Sequence, residues 1–346
     1  MIINILIGVA VLSVIILVHE LGHFVTAKAS RVKVEEFGLG FPPRLLSFKW
    51  GETRYSLNAI PFGGFVKMAG EEDPKASGSL ASKNRGTRFL VLSAGSLMNL
   101  LLALMLFSAG YLFPREAAVG QVEVVEVVPD SPAAVAGIET GDIILSVNKQ
   151  PVDSNNKLHR YVTDNLGKEI TLLVQRPGSA SRDVRLTPRL EPPEGEGAIG
   201  IAMRTVKLYP LWQAIPRGAA ELSSTVIMWA GGLISVFTGE VSGSFLGPVG
   251  LVQLTGEVAK FGPLPLLKIS ALISLILGIM NLLPLPAIDG GRITFLFLEW
   301  VRRGKRISPK AEGMVHLIGL ALFLLLFLAI TYQDIVRIIS GERLIP

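Results

Sequence analysis

The chain has no cysteine and only four histidines in 346 residues. Without a thiol it can form neither a disulfide, nor a thiolate metal site, nor a cysteine nucleophile. Charge is also scarce. Asp, Glu, Lys and Arg make up 18% of the residues and half of the chain is hydrophobic, with a mean hydropathy of +0.51. A soluble globular chain carries about a quarter charged residues, so that class is excluded. The formal charge of +5 does not point to nucleic acid, because the basic residues gather in loops that flank apolar runs. These absences leave a membrane protein with few polar groups, and any ionisable group inside an apolar run then asks for a functional reason.

Four apolar runs are long enough to span. Met1 to Val18 is uncharged and runs straight into His19; it lacks the basic start and cleavage site of a signal peptide, so it reads as a retained span over residues 1–30. Residues 89–113 give a second span, about 264–288 a third, and 313–333 a fourth, interrupted only by His316. Lys28, Arg31, Lys33, Arg44, Lys49, Arg54, Lys67, Lys75, Lys83, Arg85 and Arg88 lie between the first two spans, and Arg292, Arg302, Arg303, Lys305, Arg306 and Lys310 between the last two. Both loops are expected on the cytoplasmic side, with both termini and the segment 114–263 outside. Leu222 to Thr238 is a further run of 17 uncharged residues. A fifth span there would reverse the sidedness of everything after it, so residues 207–263 are expected as an amphipathic region at the outer interface, anchored by Trp212 and Trp229.

At the end of the first run stands Val18-His19-Glu20-Leu21-Gly22-His23-Phe24. His19 and His23, four apart, project from one face of a helix, so both imidazoles can reach one zinc ion. Glu20 can then act as general base toward a water that the metal makes acidic. Two histidines leave such an ion short of a protein ligand. His159 falls in the outer segment and His316 in the fourth span, away from the cytoplasmic end, whereas Asp289 closes the third span in Asn281-Leu282-Leu283-Pro284-Leu285-Pro286-Ala287-Ile288-Asp289-Gly290. Spans one and three both run inward under the four-span count, which brings Asp289 to the depth of His19 and His23. The plainer reading of Asp289 is a charged residue at a helix end.

Between the second and third spans, residues 118–206 have the composition of a soluble α/β module. The run Ser131-Pro132-Ala133-Ala134-Val135-Ala136-Gly137-Ile138, followed by Gly141-Asp142-Ile143-Ile144-Leu145-Ser146-Val147-Asn148, resembles a PDZ domain of the rearranged bacterial type. Gly137, Gly141 and Asp142 are read as turn-makers. By resemblance the module binds a peptide at a sheet edge or excludes bulky ectodomains.

Together the motifs resemble the site-2 protease family of intramembrane zinc metalloproteases, in the branch of the bacterial regulator of sigma-E protease. His19-Glu20-Leu21-Gly22-His23 matches its HExxH, and Asn281 to Gly290 matches its NxxPxPxxDG. The resemblance implies a polytopic α-helical membrane protein of about four transmembrane helices with an inserted extracytoplasmic PDZ domain. It implies membrane halves over 1–113 and 264–346, zinc held by His19, His23 and Asp289, and Glu20 as catalytic base. Asn281 is expected to steady the substrate or the developing oxyanion, with Pro284 and Pro286 shaping the unwound segment. Residues 54–72 resemble the family's membrane-associated β-hairpin, where Gly63, Gly64 and Phe65 would pair with an unwound substrate. Gly247 to Gly250 resembles a family segment before the third span. Implied substrates are single-span proteins trimmed beforehand by another protease, such as anti-sigma factors, or remnant signal peptides. The implied place is the bacterial inner membrane, among lipids, with the active site toward the cytoplasm. Many members of that branch carry two PDZ modules and this chain has room for one. Two rivals remain: a membrane scaffold that holds structural metal, which would not need Glu20, and a metal transporter, for which spans two and four offer only Asn99 and His316 as obvious candidates.

Overall fold

The computed structural model describes residues 2–71, 77–240 and 246–340. Glu72 at the end of the expected hairpin, Lys75 of the first basic loop, and residues 1, 241–245 and 341–346 of the expected membrane regions lie outside the described residues. In chain order the elements are α1 (Ile2–Ala29), β1 (Val34–Trp50), β2 (Thr53–Met68), α2 (Arg85–Gly110), β3 (Arg115–Val127), α3 (Pro132–Val135), β4 (Ile143–Val147), β5 (Gln150–Pro151), α4 (Asn155–Thr163), β6 (Ile170–Gln175), β7 (Ser181–Leu186), β8 (Ile201–Lys207), α5 (Leu211–Phe237), α6 (Pro248–Val258), α7 (Pro263–Met280), α8 (Asp289–Val301) and α9 (Pro309–Ile339). They form two compact units, Met1–Gly110 with Ile215–Pro346, and Tyr111–Ala214.

In the first unit, α1 buries a stripe of Gly8, Leu12, Ile15, His19, Gly22 and His23. The spacing of three and four residues keeps one face toward its neighbours. Glycine sets how close those neighbours come. A Cβ at Gly22 would lie 2.4 Å from the Ala94 carbonyl oxygen of α2, and one at Gly8 would lie 2.3 Å from that of Val252 in α6. With little hydrophobic drive between helices in lipid, such close backbone packing carries association. α1 runs antiparallel to α2, since Gly22 meets Ala94 and His19 meets Asn99. α7 is antiparallel to α2 as well: Gly278 lies by Ser96, and Ser274 Oγ donates to the Asn99 carbonyl at 2.8 Å. α1 and α7 therefore run the same way. α9 is largely exposed and is tied near its end by Asp334, which accepts from the Gly250 N–H at 2.7 Å and so caps the first turn of α6.

Several boundaries differ from those read in the sequence. α7 stops at Met280 rather than running on to 288, because Pro284 and Pro286 cannot extend the helix. α5 begins at Leu211 and absorbs Pro216 near its start. It is long and apolar enough to cross a membrane, as are α1, α2, α7 and α9. The strands β1 and β2 fold into more than a simple hairpin. Residues 46–50 pair with 57–53, while 36–39 pair both with 54–57 and with 67–64, leaving the row 64–68 at the sheet edge. Leu45, Leu46, Phe48 and Trp50, near the turn joining β1 to β2, are exposed, as suits a segment in contact with lipid.

The second unit is a sheet in the order β7-β6-β4-β3-β8, with β5 beside β4. Its pairings are antiparallel. Val122, Val124, Ile144, Leu158, Ile170 and Leu172 fill its core. Ser131 caps α3 and Ser154 caps α4. This architecture fits the PDZ module implied by the run around Gly137. Asp142 is fully buried and accepts from the Glu139 N–H at 3.0 Å and from Arg176 Nε at 2.8 Å, so it staples the turn to β6.

Burial pushes the Asp142 carboxyl up, but the Arg176 hydrogen bonds and the Glu139 N–H outweigh it and hold the carboxyl below its ordinary range. The ion pair therefore stabilises the unit fully above about pH 4, and that stability is lost as pH falls through the lowered value. Asp142→Asn is expected to cost the second unit about 1.5–3 kcal/mol at pH 7. Amide hydrogen exchange of 118–206 checks this: the gap between variant and wild type should shrink below about pH 4.

Candidate active site

The buried stripe of α1 carries His19 and His23 one turn apart and turns both toward α8. Asp289 is the first residue of α8. His19 Nε2 and His23 Nε2 each lie 3.1 Å from Asp289 Oδ2 and 3.2 Å from one another. The three donor atoms make a nearly equilateral triangle. Ligand atoms at roughly 2.0–2.1 Å from a tetrahedral zinc stand about 3.3 Å apart, so the triangle has the edge lengths that ion requires. His23 Nδ1 donates to the Val91 carbonyl at 2.8 Å, which leaves lone-pair density on Nε2 when the ring is neutral. A single proton can relieve only one of the three close edges. A cation relieves all three, and among the described residues His19, His23 and Asp289 form the one cluster of this kind.

The surroundings fix these donors. α2 passes so close that a Cβ at Gly95 would lie 2.3 Å from His23 Nε2 and 2.6 Å from His19 Nε2. Asn99, 1% exposed, brings its amide Nδ2 to 3.5 Å from His19 Nδ1, while its Oδ1 is buried without a hydrogen-bond partner. A half-turn of the amide gives Oδ1 the His19 Nδ1–H and frees Nε2 for metal, the arrangement ligating imidazoles need. The far end of α8 is fixed by Glu299, which accepts from Arg88 Nη1 of α2 at 2.6 Å. Burial raises the Glu299 carboxyl, and Arg88 together with Arg306 brings it below its ordinary value.

Glu20 lines a cleft of about 460 Å³ together with His19, His23 and Asp289. Gly64, Phe65 and Val66 of the sheet edge form one wall. Gly64 is needed for the approach, since a Cβ there would lie 3.0 Å from Glu20 Cγ. Gly63 stands just outside this wall in an open backbone conformation, φ +128°. The start of α9 also lines the cleft, with His316 and Leu317. This corrects the expected place of His316: α9 begins at Pro309, so His316 stands beside the site. Asn281, Pro284 and Pro286 do not line the cleft. The Asn281 carbonyl accepts from the Gly290 N–H at 2.7 Å and closes the irregular segment, and Pro286 packs against Gly319.

Sequence reasoning passed over Gly95 and gave Asn99 no part in the site. Asn99 carried a signal, as an amide inside an uncharged span. Gly95 sits in the small-residue run Ser93-Ala94-Gly95-Ser96, which marks a close helix contact without saying what it touches. Gly95→Ala is expected to lower the zinc content of the purified protein well below that of wild type while leaving helix content unchanged. Asn99→Leu should weaken metal affinity by about 10- to 100-fold. Metal analysis and circular dichroism check both.

The model of peptidase family M50 matches residues 7–326. A Clostridium acetobutylicum protein named "Putative zinc metalloprotease" is 36% identical over 96% of this chain and 97% of its own. A Clostridium perfringens protein of the same name is 37% identical over 94% and 96%. Zinc metalloprotease RasP of Geobacillus kaustophilus is 30% identical over 94% and 96%. The solved PDZ domain of the SdrC-like protein from Listeria monocytogenes, 20% identical, covers 26% of this chain and 93% of its own at a TM-score of 0.22. The family match begins inside α1 and ends inside α9, so it takes in both histidines and Asp289, and the chain belongs to peptidase family M50.

Proposed function

We propose that this protein is a zinc metalloprotease of the membrane that hydrolyses a peptide bond in or beside the transmembrane helix of a single-span protein. The observation that carries this is the triangle of His19, His23 and Asp289 in one cleft with Glu20 and a sheet edge. When bound, zinc supplies Lewis acidity that polarises a carbonyl and makes water acidic enough to ionise near neutral pH. Glu20 takes the proton of the attacking water as general base and delivers it to the amine that leaves as the C–N bond breaks. The row 64–68 offers backbone groups to a substrate strand, with Gly63, Gly64 and Phe65 keeping that edge open. A substrate helix must unwind to present its carbonyl, so small or helix-breaking residues near the cut lower the barrier. Asn281 and the two prolines act by holding the segment 281–288 out of helical conformation, which sets Asp289 at the cleft.

The antiparallel run of α1, α2 and α7 supports a topology. α7 starts at the end where α2 finishes, which supports an even number of crossings between Gly110 and Pro263. Four spans satisfy this with α5 at the interface, and the basic loops favour a site toward the cytoplasm and a PDZ module outside. The proposed substrates are single-span proteins already trimmed outside by another protease, as the family resemblance implies. Glu20 disfavours a pure scaffold, which needs metal but no base.

Glu20→Gln is expected to lower kcat/KM on a single-span substrate by about 10²–10⁴-fold with zinc still bound, and a chelator should abolish wild-type cleavage. Cleavage in liposomes with parallel metal analysis checks this, and a Glu20→Gln protein as active as wild type contradicts the assignment.

A further inference from the structure

We infer that His316 is a positioning residue for the metal site: its imidazole holds the left-handed turn at Ala287 that delivers the Asp289 carboxylate. This rests on the ligand set proposed above and adds a residue of α9 to the machinery that places it.

Asp289 emerges from the irregular segment 281–288, whose base is closed by the Gly290–Asn281 backbone bond. Its apex is less secure. Ala287 has φ +73°, a region that residues with a Cβ enter only at a cost. Ala287 stands two residues before the ligand, so a relaxation of φ there swings the start of α8. What holds it is its own N–H, which donates to His316 Nδ1 at 3.1 Å. The imidazole is itself fixed. Its ring centroid lies 5.5 Å from that of Phe295, and Gly291 leaves it room, since a Cβ there would stand 3.1 Å from Cε1. Three residues on, Gly319 lets α9 rest directly on the turn, because a Cβ at Gly319 would lie 2.1 Å from Pro286 Cβ. α9 thus presses on Pro286 and accepts from Ala287 at once, and the placement of the third donor depends on a helix otherwise little buried.

Chemistry separates this role from mere packing. His316 acts as an acceptor through Nδ1, and an asparagine carries Oδ1 at the same reach from the backbone, whereas leucine fills the space with no acceptor. Glycine at 287 removes the conformational cost and with it much of the need for an anchor.

The test uses full-length protein in detergent, with zinc affinity measured against a competing chelator and the visible spectrum of the cobalt(II)-substituted site as a report on its ligands. His316→Leu is expected to weaken zinc binding by about tenfold or more and to alter the cobalt spectrum. His316→Asn should stay within about threefold of wild type, and Ala287→Gly added to His316→Leu should recover at least about threefold of the loss. A His316→Leu protein with wild-type affinity and spectrum, beside an Asp289→Ala control that loses metal, overturns this inference alone. An Asp289→Ala protein that binds zinc as wild type does overturns the ligand set, and this inference with it. A loss in His316→Leu that neither the asparagine nor the glycine change relieves marks His316 as a packing residue and also overturns it.

Discussion

Three donor atoms held 3.1–3.2 Å apart can all be satisfied at once by one cation between them, and the membrane part of this protein is arranged to impose that separation. The triangle is drawn from elements far apart in sequence. Two corners come from one turn of α1 and the third from the first residue of α8. None of these positions is fixed by α1 or α8 alone. α2 fixes the imidazoles through Val91, Asn99 and the bare backbone at Gly95, and it fixes α8 through the ion pair of Arg88 with Glu299. α2 carries no proposed ligand, and it is the element against which the other parts of the site are set.

Lipid explains the means. Between apolar helices in a bilayer the hydrophobic effect gives little association, so close packing and buried polar contacts must supply it. The glycines of α1 and α6 serve the first need. Asp334 on the Gly250 N–H and Ser274 on the Asn99 carbonyl serve the second. The break in the helix after Met280 reaches the cleft only at its last residues, Ala287 and Ile288, and its freed backbone groups need partners elsewhere. There Asn281 and His316 take up backbone groups that a continuous helix would have satisfied itself.

Much of this could be read in the sequence. His19 and His23 announce themselves because four residues make one helical turn, and a charge-poor run makes Glu20 conspicuous. Asp289 was legible through sidedness, and the PDZ module through one specific run of turn residues. Other features were hidden for physical reasons. Gly95 matters because another helix passes within contact distance, which spacing along one helix does not encode. His316 was misplaced because its depth along α9 did not reveal that it faces the cleft: it stands about two turns from the start at Pro309 and lines the site. α5 starts at Leu211, ahead of the uncharged run that begins at Leu222, because a proline near a helix start costs few hydrogen bonds.

Zinc K-edge X-ray absorption of the purified full-length protein tests the central claim most directly. Two imidazole nitrogens and one carboxylate oxygen at roughly 2.0–2.2 Å are predicted, with the imidazole contribution kept in Glu20→Gln and the site lost in Asp289→Ala. A spectrum with fewer than two imidazoles, or one unchanged by Asp289→Ala, would contradict the account.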